Sequence, residues 1–367
     1  MTAEPFRIVV PQATLDSIRS KLEFTRIGYA PDDDEDWHYG TDARYLATLI
    51  DYWREGYDWR AQEALLNRWP QFRARINGID VHFYHIRGDE RRPLPIILTH
   101  GWPGSIVEFQ EAMPLLVAAG FTIVVPSLPG FGWSSRPKRP IGARTIAEMW
   151  RTLMVDVLGY QRFFAQGGDF GSLVSVQLGI NHADVVPAIH LNFFMGPSPA
   201  HDAAPEVSAH WADVSRMMEL EGAYIHAQAC KPQTIGLALH DHPTGWAAWV
   251  IEKFRRWADT GGDIESRFSK DQLITNLMTY LVNDAIQSSM WIYYAASRDN
   301  TSPGPVPVPT AIARFPAEFY PLPNRTVAAR QHNIVRWTEM KAGGHFAAME
   351  EPIAFAEDVV AFFSAMA

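Results

Sequence analysis

The chain has 367 residues, 47% of them apolar and 20% charged, with 13 Trp, 12 Tyr and 20 Phe and a net charge of −9. That length and apolar share exclude a disordered chain and fit one large domain with an added segment, while the negative charge argues against general affinity for nucleic acid or anionic membranes. Cys230 is the only cysteine, which excludes an intrachain disulfide and a cysteine-rich metal site.

The opening MTAEPFRIVV has no basic segment followed by a long apolar core, and no apolar run approaches the roughly 18 residues that span a bilayer. We expect a cytoplasmic protein without a signal peptide or membrane anchor. Up to about residue 85 the periodicity reads as helices and loops. The acidic run Asp32 to Asp36 reads as a solvated loop rather than a metal or basic-partner site, because its like charges repel and prefer water. Asn77-Gly78 tolerates positive φ and separates FRARI from IDVHFYHI, which predicts a hairpin.

From there strands and helices alternate. Pro95 to Thr99 and Phe121 to Val125 read as short buried strands. Thr145 and Glu148 stand as a capping box opening a helical run to Leu158. Arg162 to Gln166 leads into the turn Gly167-Gly168-Asp169-Phe170-Gly171, with a helix expected from Ser172 to about Ile180 and a strand at Val186 to Asn192. Residues 199–305 are largely helical in pattern, with clustered tryptophans such as Trp246 and Trp249. Strand-like runs return at Val306 to Arg314 and Ile334 to Thr338, and a last helix starts at Pro352, a residue suited to a first helical position. Such alternation implies α/β architecture, a mostly parallel sheet flanked by helices.

Three turns could carry chemistry. Gly167-x-Asp169-x-Gly171 has the shape of a nucleophile elbow with a carboxylate where a serine is usual. The plainer reading of this turn alone is an aspartate capping the Ser172 helix. At an elbow, the backbone N–H of Phe170 would face a developing oxyanion. His100-Gly101-Trp102-Pro103-Gly104 follows the first buried strand, and the N–H of Trp102 would be the second donor, with His100 shaping the turn. Gly343-Gly344-His345-Phe346 places a histidine late in the chain, where a catalytic base belongs in the order nucleophile, acid, histidine. Glu318, just after the penultimate strand, is the preferred acid on position, with Asp284 and Asp299 as rivals at the helical segment.

With these motifs the chain resembles epoxide hydrolases of the microsomal and juvenile-hormone type, including their soluble bacterial relatives. The resemblance runs over nearly the whole chain. It is carried by Tyr52-Trp53-x-x-x-Tyr57-Asp58-Trp59-Arg60, Pro70-Gln71-Phe72 and Ile79-Asp80-Val81-His82-Phe83, then HGWPGS from His100, SLPGFGWSS from Ser127, GGDFGS from Gly167, FPAE from Phe315 and GGHFAAMEEP from Gly343. It implies an α/β-hydrolase fold with an N-terminal extension over 1–85, core over 86–198 and 306–367, and a helical cap over 199–305. It implies Asp169 as nucleophile, His345 as base and Glu318 as its acid partner. Trp102 and Phe170 would supply the oxyanion hole from their backbones and line the substrate pocket. Two cap tyrosines would act on the epoxide oxygen: Tyr224, and Tyr293 with Tyr294 as its rival. The chain departs from many relatives in having Phe170, not Trp, after the nucleophile, and it lacks the anchoring helix of the microsomal members.

A carboxylate suits the implied reaction. It is ordinarily ionised at neutral pH and opens an epoxide without a base, leaving an alkyl ester that activated water hydrolyses to a vicinal diol. No metal or other cofactor is required, and the expected partners are a small apolar epoxide, from a xenobiotic or a biosynthetic route, and water. A homodimer stays open. The alternatives are a haloalkane or haloacid dehalogenase using the same aspartate, and a non-catalytic ligand-binding relative. A serine esterase falls away because the chain has no G-x-S-x-G.

Overall fold

A computed structural model describes residues 2–89, 92, 94–299 and 304–366. The expected cap therefore includes a stretch, 300–303, that lies outside the described residues.

Among the described residues one nine-stranded sheet organises the chain, in the order β1-β2-β3-β5-β4-β6-β7-β8-β9. The strands are β1 (Glu4–Phe6), β2 (Gln71–Ile76), β3 (Ile79–Ile86), β4 (Ile96–Thr99), β5 (Ile123–Pro126), β6 (Phe164–Gly167), β7 (Ile189–Leu191), β8 (Val306–Arg314) and β9 (His332–Glu339). The β1, β2 and β3 end is antiparallel, and every pairing from β5 to β9 is parallel. Asn77 (φ 51°) and Gly78 (φ 81°) make the tight turn of the predicted β2–β3 hairpin. The central parallel strands β4, β5 and β6 are short and mostly apolar because helices cover both their faces; every residue of the three is buried.

The helices follow local chemistry. Asp42 caps the helix Ala43–Glu55 by accepting from the N–H groups of Arg44 and Tyr45, each at 2.8 Å. Leu46, Leu49, Ile50 and Trp53 then recur at helical spacing and are all buried, each stabilising the fold by roughly 1.5–3 kcal/mol. Between β7 and β8 the chain is helical, from Pro205–Glu221 through Pro243–Trp257 and Lys270–Leu281 to Trp291–Ala296. The N-terminal helices fasten onto this inserted unit: the Tyr52 hydroxyl donates to Asp271 at 2.9 Å, and the Tyr57 and Thr275 hydroxyls meet at 3.0 Å.

Local expectations need correction at three points. The helix predicted to open on Thr145 and Glu148 begins at Ala143, with extended Gly142 at its N-cap and no side-chain cap. Gly142 takes the N-cap three residues before Thr145, so Thr145 already lies inside the first turn. Glu148 instead faces His182 at 3.2 Å. A true capping box occurs at Ser269 and Gln272, which the sequence reading did not single out. The helix expected from Ser172 begins at Asp169 and runs to Asn181. Strand β5 starts later than the run Phe121 to Val125 and extends past it to Pro126, and β7 occupies only the middle of Val186 to Asn192.

The sheet order fixes where a site can form. β4 is flanked by β5 on one side and β6 on the other, so the loops leaving the C-terminal ends of β4 and β6 depart to opposite faces and open a crevice. Thr99 and Gly167 are directly paired at that point. The loops after β8 and β9, paired through Arg314 and Glu339, reach the same edge.

Candidate active site

Asp169 stands at the turn out of β6 with φ +47°, in the left-handed region that a non-glycine residue occupies only when its surroundings enforce it. The enforcement is visible in its neighbours. A Cβ on Gly167 would lie 2.1 Å from the Gly171 carbonyl oxygen, and one on Gly171 would lie 1.9 Å from that of Thr99. Only glycines let the helix start pack this closely on β4 and β6. The Asp169 side chain is not a helix cap; the N-cap is Gly168, without a side-chain bond. Its Oδ1 instead accepts the backbone N–H of Trp102 at 2.9 Å. The Phe170 N–H lies in the first helical turn, where backbone donors have no intrahelical acceptor.

His100 shapes the Trp102 turn. Its ring is fully buried, Nε2 accepts the Leu128 N–H at 3.2 Å, and Nδ1 donates to the Gly101 carbonyl at 2.9 Å. Burial pushes its pKa down to about 4, so the ring is a neutral strut.

His345 faces two carboxylates. Its Nδ1 is 3.0 Å from both Glu318 oxygens and its Nε2 is 3.5 Å from Asp169 Oδ2. The His345 and Glu318 side chains are 3% exposed and that of Asp169 is 19% exposed, so Asp169 is the member of the trio a small molecule can reach. Burial disfavours a charged imidazole, but the charges and hydrogen bonds of Glu318 and Asp169 outweigh it and hold the His345 pKa well above the usual value. Asp284 is exposed beside His240, and Asp299 lines the cavity that opens beside Phe170; the carboxylates paired with His345 are Glu318 and Asp169.

The two tyrosines meet over this trio. The Tyr224 and Tyr293 rings lie 5.9 Å apart, edge to face. Trp102 stacks on Tyr224 at 5.5 Å, and Phe170 meets Tyr293 edge-on at 4.7 Å. Thus each of the two residues expected to donate a backbone N–H also buttresses a tyrosine with its ring. Burial, with the nearby charge of Asp169, pushes both phenols well above their usual pKa. The buried Tyr293 hydroxyl has no well-formed hydrogen bond within the protein. Tyr294 points elsewhere, its half-buried ring under the Arg298 guanidinium at 3.5 Å. Beside Phe170 opens a cavity of about 430 Å³, walled by Leu173, Phe194, Trp211 and Ala296. No cluster of three or more potential metal ligands occurs among the described residues, nor any helix long and apolar enough to cross a membrane.

Sequence reasoning missed three contributors. Glu108 has its carboxyl buried against Gly104 while its stem lines another cavity. Burial, only partly offset by the positive charge of His345, pushes it up to about 8. Glu350 accepts three backbone N–H groups around the His345 loop. Trp257 packs its ring on His345 and Tyr224, each at 5.0 Å between centroids. The pairing of Glu350 with the loop could have been read from its place five residues after His345; no local signal points to Glu108 or Trp257.

Comparison with known proteins agrees with this architecture. A family model described as epoxide hydrolase N terminus matches residues 3–109, and one described as alpha/beta hydrolase fold matches 95–221. The chain is 35% identical to juvenile hormone epoxide hydrolase 2 of Ctenocephalides felis, over 97% of this chain and 84% of that one. It is 32% identical to epoxide hydrolase 1 of Sus scrofa, over 98% and 88%. The solved structure of Aspergillus niger epoxide hydrolase superposes with a TM-score of 0.90 at 29% identity, covering 100% of this chain and 97% of that one.

Proposed function

The chain belongs to the epoxide hydrolase family of the α/β-hydrolase fold, hydrolases acting on ether bonds, and on that premise we propose that it adds water to an apolar epoxide through an alkyl ester of Asp169. The observation that carries this reading is the resting geometry of Asp169. Oδ1 is already held by the Trp102 N–H, and Oδ2 faces His345.

In the first half, Oδ2 attacks an epoxide carbon in line and the C–O bond of the ring breaks. Tyr224 and Tyr293, kept protonated by burial, hydrogen-bond the ring oxygen, and one passes it a proton. Ester formation removes the negative charge of Asp169, one of the influences that hold the proton on His345. His345 then gives up that proton as the tyrosinate is reprotonated, and it becomes a base only once the ester exists.

In the second half, His345, held by Glu318, takes a proton from water that attacks the ester carbon. The oxyanion develops on Oδ1, beside the Trp102 N–H and the helix start at Phe170. Such donors are worth about 3 kcal/mol each to the transition state. Collapse releases the diol, the proton on His345 passing to the departing oxygen; the carboxylic acid left on Asp169 then gives its proton to His345, which restores both the carboxylate and the charged imidazole. The steps sum to epoxide plus water giving diol.

The remaining assignments belong to the same reading: 1–85 as extension, 199–305 as cap, a cytoplasmic location, and an apolar substrate entering beside Phe170. A homodimer is compatible with it. Phe170 has no side-chain donor for a departing halide, which favours the epoxide over a haloalkane. Diol formation from styrene-type and aliphatic epoxides, with no halide release from chloroalkanes, tests the proposal; the opposite pair of results would replace it with dehalogenation.

A further inference from the structure

The loop that carries His345 has no regular structure of its own. Gly343 sits at φ +94°, and four successive backbone N–H groups need acceptors. Each finds one outside the loop's own backbone. Gly343 donates to Asp259 Oδ2, Gly344 to Glu350 Oε2 and Phe346 to Glu350 Oε1, each at 2.9 Å. His345 itself donates to the Trp257 carbonyl at 2.9 Å. Two of these four acceptors belong to the inserted helical unit: the Trp257 carbonyl at the end of the helix Pro243–Trp257 and Asp259 two residues beyond it.

That segment is itself locked. The Asp259 N–H donates to Glu350 Oε2 at 2.8 Å, so one buried carboxylate binds both the base's loop and the inserted unit. Arg267 grips Asp259 twice, its Nε on the carbonyl at 2.7 Å and its Nη2 on Oδ2 at 2.8 Å. The Asp259 N–H, carbonyl and carboxylate are therefore all engaged. Asp169, by contrast, is anchored by the ends of β4 and β6 and by the Trp102 N–H, none of which exchanges a hydrogen bond with this network; the Trp102 ring meets it only through the Trp257 ring, at 6.3 Å.

We propose that Asp259 is a positioning residue that, locked to Glu350, fastens the His345 loop to the cap and sets the base for ester hydrolysis but not for ester formation. The proposal rests on the two-step reading above. Its physical basis is that a buried N–H left without an acceptor destabilises its local conformation, and a loop so released lets its side chain drift. A displacement of about 1 Å is enough to cost on the order of 10²-fold in rate. Asp259 touches neither Asp169 nor the tyrosines, so its loss should leave ring opening intact.

The test separates the two half-reactions by single-turnover kinetics with a styrene-type epoxide. Asp259→Ala should slow ester hydrolysis by roughly 10–10²-fold, with alkylation within about twofold of wild type, so that alkyl-enzyme accumulates. Asp259→Asn retains an oxygen for the Gly343 N–H and should restore hydrolysis. Should Asp259→Ala fail to fold, Arg267→Met leaves the carboxylate in place but releases its grip, and should slow hydrolysis selectively to a smaller extent. Equal slowing of both steps, hydrolysis at the wild-type rate, or no rescue by Asn would overturn the proposal. Absence of any alkyl-enzyme in His345→Gln would instead overturn the underlying reading, so the two failures are distinguishable.

Discussion

The backbone N–H of Trp102 lies 2.9 Å from Oδ1 of Asp169, across the crevice where β4 and β6 part. One oxygen of the carboxylate is thus held before any substrate arrives, in the place where negative charge would develop during ester hydrolysis. This contact depends on the chain passing close to Asp169 just before Trp102.

Gly101 provides that closeness. A Cβ there would lie 2.1 Å from Asp169 Oδ1, and the strained elbow cannot retreat from it. Gly101→Ala should therefore displace the carboxylate and lower kcat/KM by at least ~10-fold, with an overpacking cost of about 1–3 kcal/mol in stability. Steady-state kinetics beside a denaturant melt check this, and wild-type turnover would contradict it.

The tyrosines are predicted to act only in ring opening. Tyr224→Phe and Tyr293→Phe should each slow alkylation, and the double variant should lose roughly 10²–10⁴-fold, the usual worth of a general acid. Hydrolysis of a preformed ester should change far less. An alkylation rate untouched in the double variant removes them from the mechanism.

Glu318 should matter in the other half. Glu318→Gln preserves the shape of the side chain but removes the charge that holds and orients the imidazole. We expect ester hydrolysis to fall by about 10²–10⁴-fold, with alkyl-enzyme accumulating during turnover. Rapid-quench mass analysis reads this directly, and a steady-state rate equal to wild type would contradict it.

His345 also links the site to stability. Its folded pKa lies well above the ordinary 6.5, because Glu318 and Asp169 outweigh the burial that opposes its charge. A raised pKa contributes stability that is fully present below about 6.5 and is lost as pH rises through the folded value. The stability difference between wild type and His345→Gln should therefore shrink as pH rises above 6.5. Urea midpoints from pH 6 to about pH 10 measure it, and a difference independent of pH would contradict the coupling.

Much of this site was legible because its chemistry sits at strand ends marked by short motifs. Glycines spaced about Asp169, the Gly-Trp-Pro turn and the glycine pair before His345 each announce a backbone constraint locally. The choice of Tyr293 over Tyr294 was not legible, since adjacent helical residues differ only in the face they present. Trp257 and Asp259 escaped notice because their partners lie some 85 residues away, and no local pattern encodes such contacts. The capping box at Thr145 failed for the opposite reason: a correct local motif lost to the loop ending at Gly142, which started the helix early.

The central claim is the ester on Asp169. His345→Gln removes the base that would hydrolyse it and leaves the nucleophile and its Trp102 donor in place. Incubated with a styrene-type epoxide and digested, this variant should yield the peptide containing Asp169 heavier by the mass of one substrate molecule, and Asp169→Asn should not. An unmodified Asp169 peptide in a His345→Gln protein that still turns over epoxide would contradict the account.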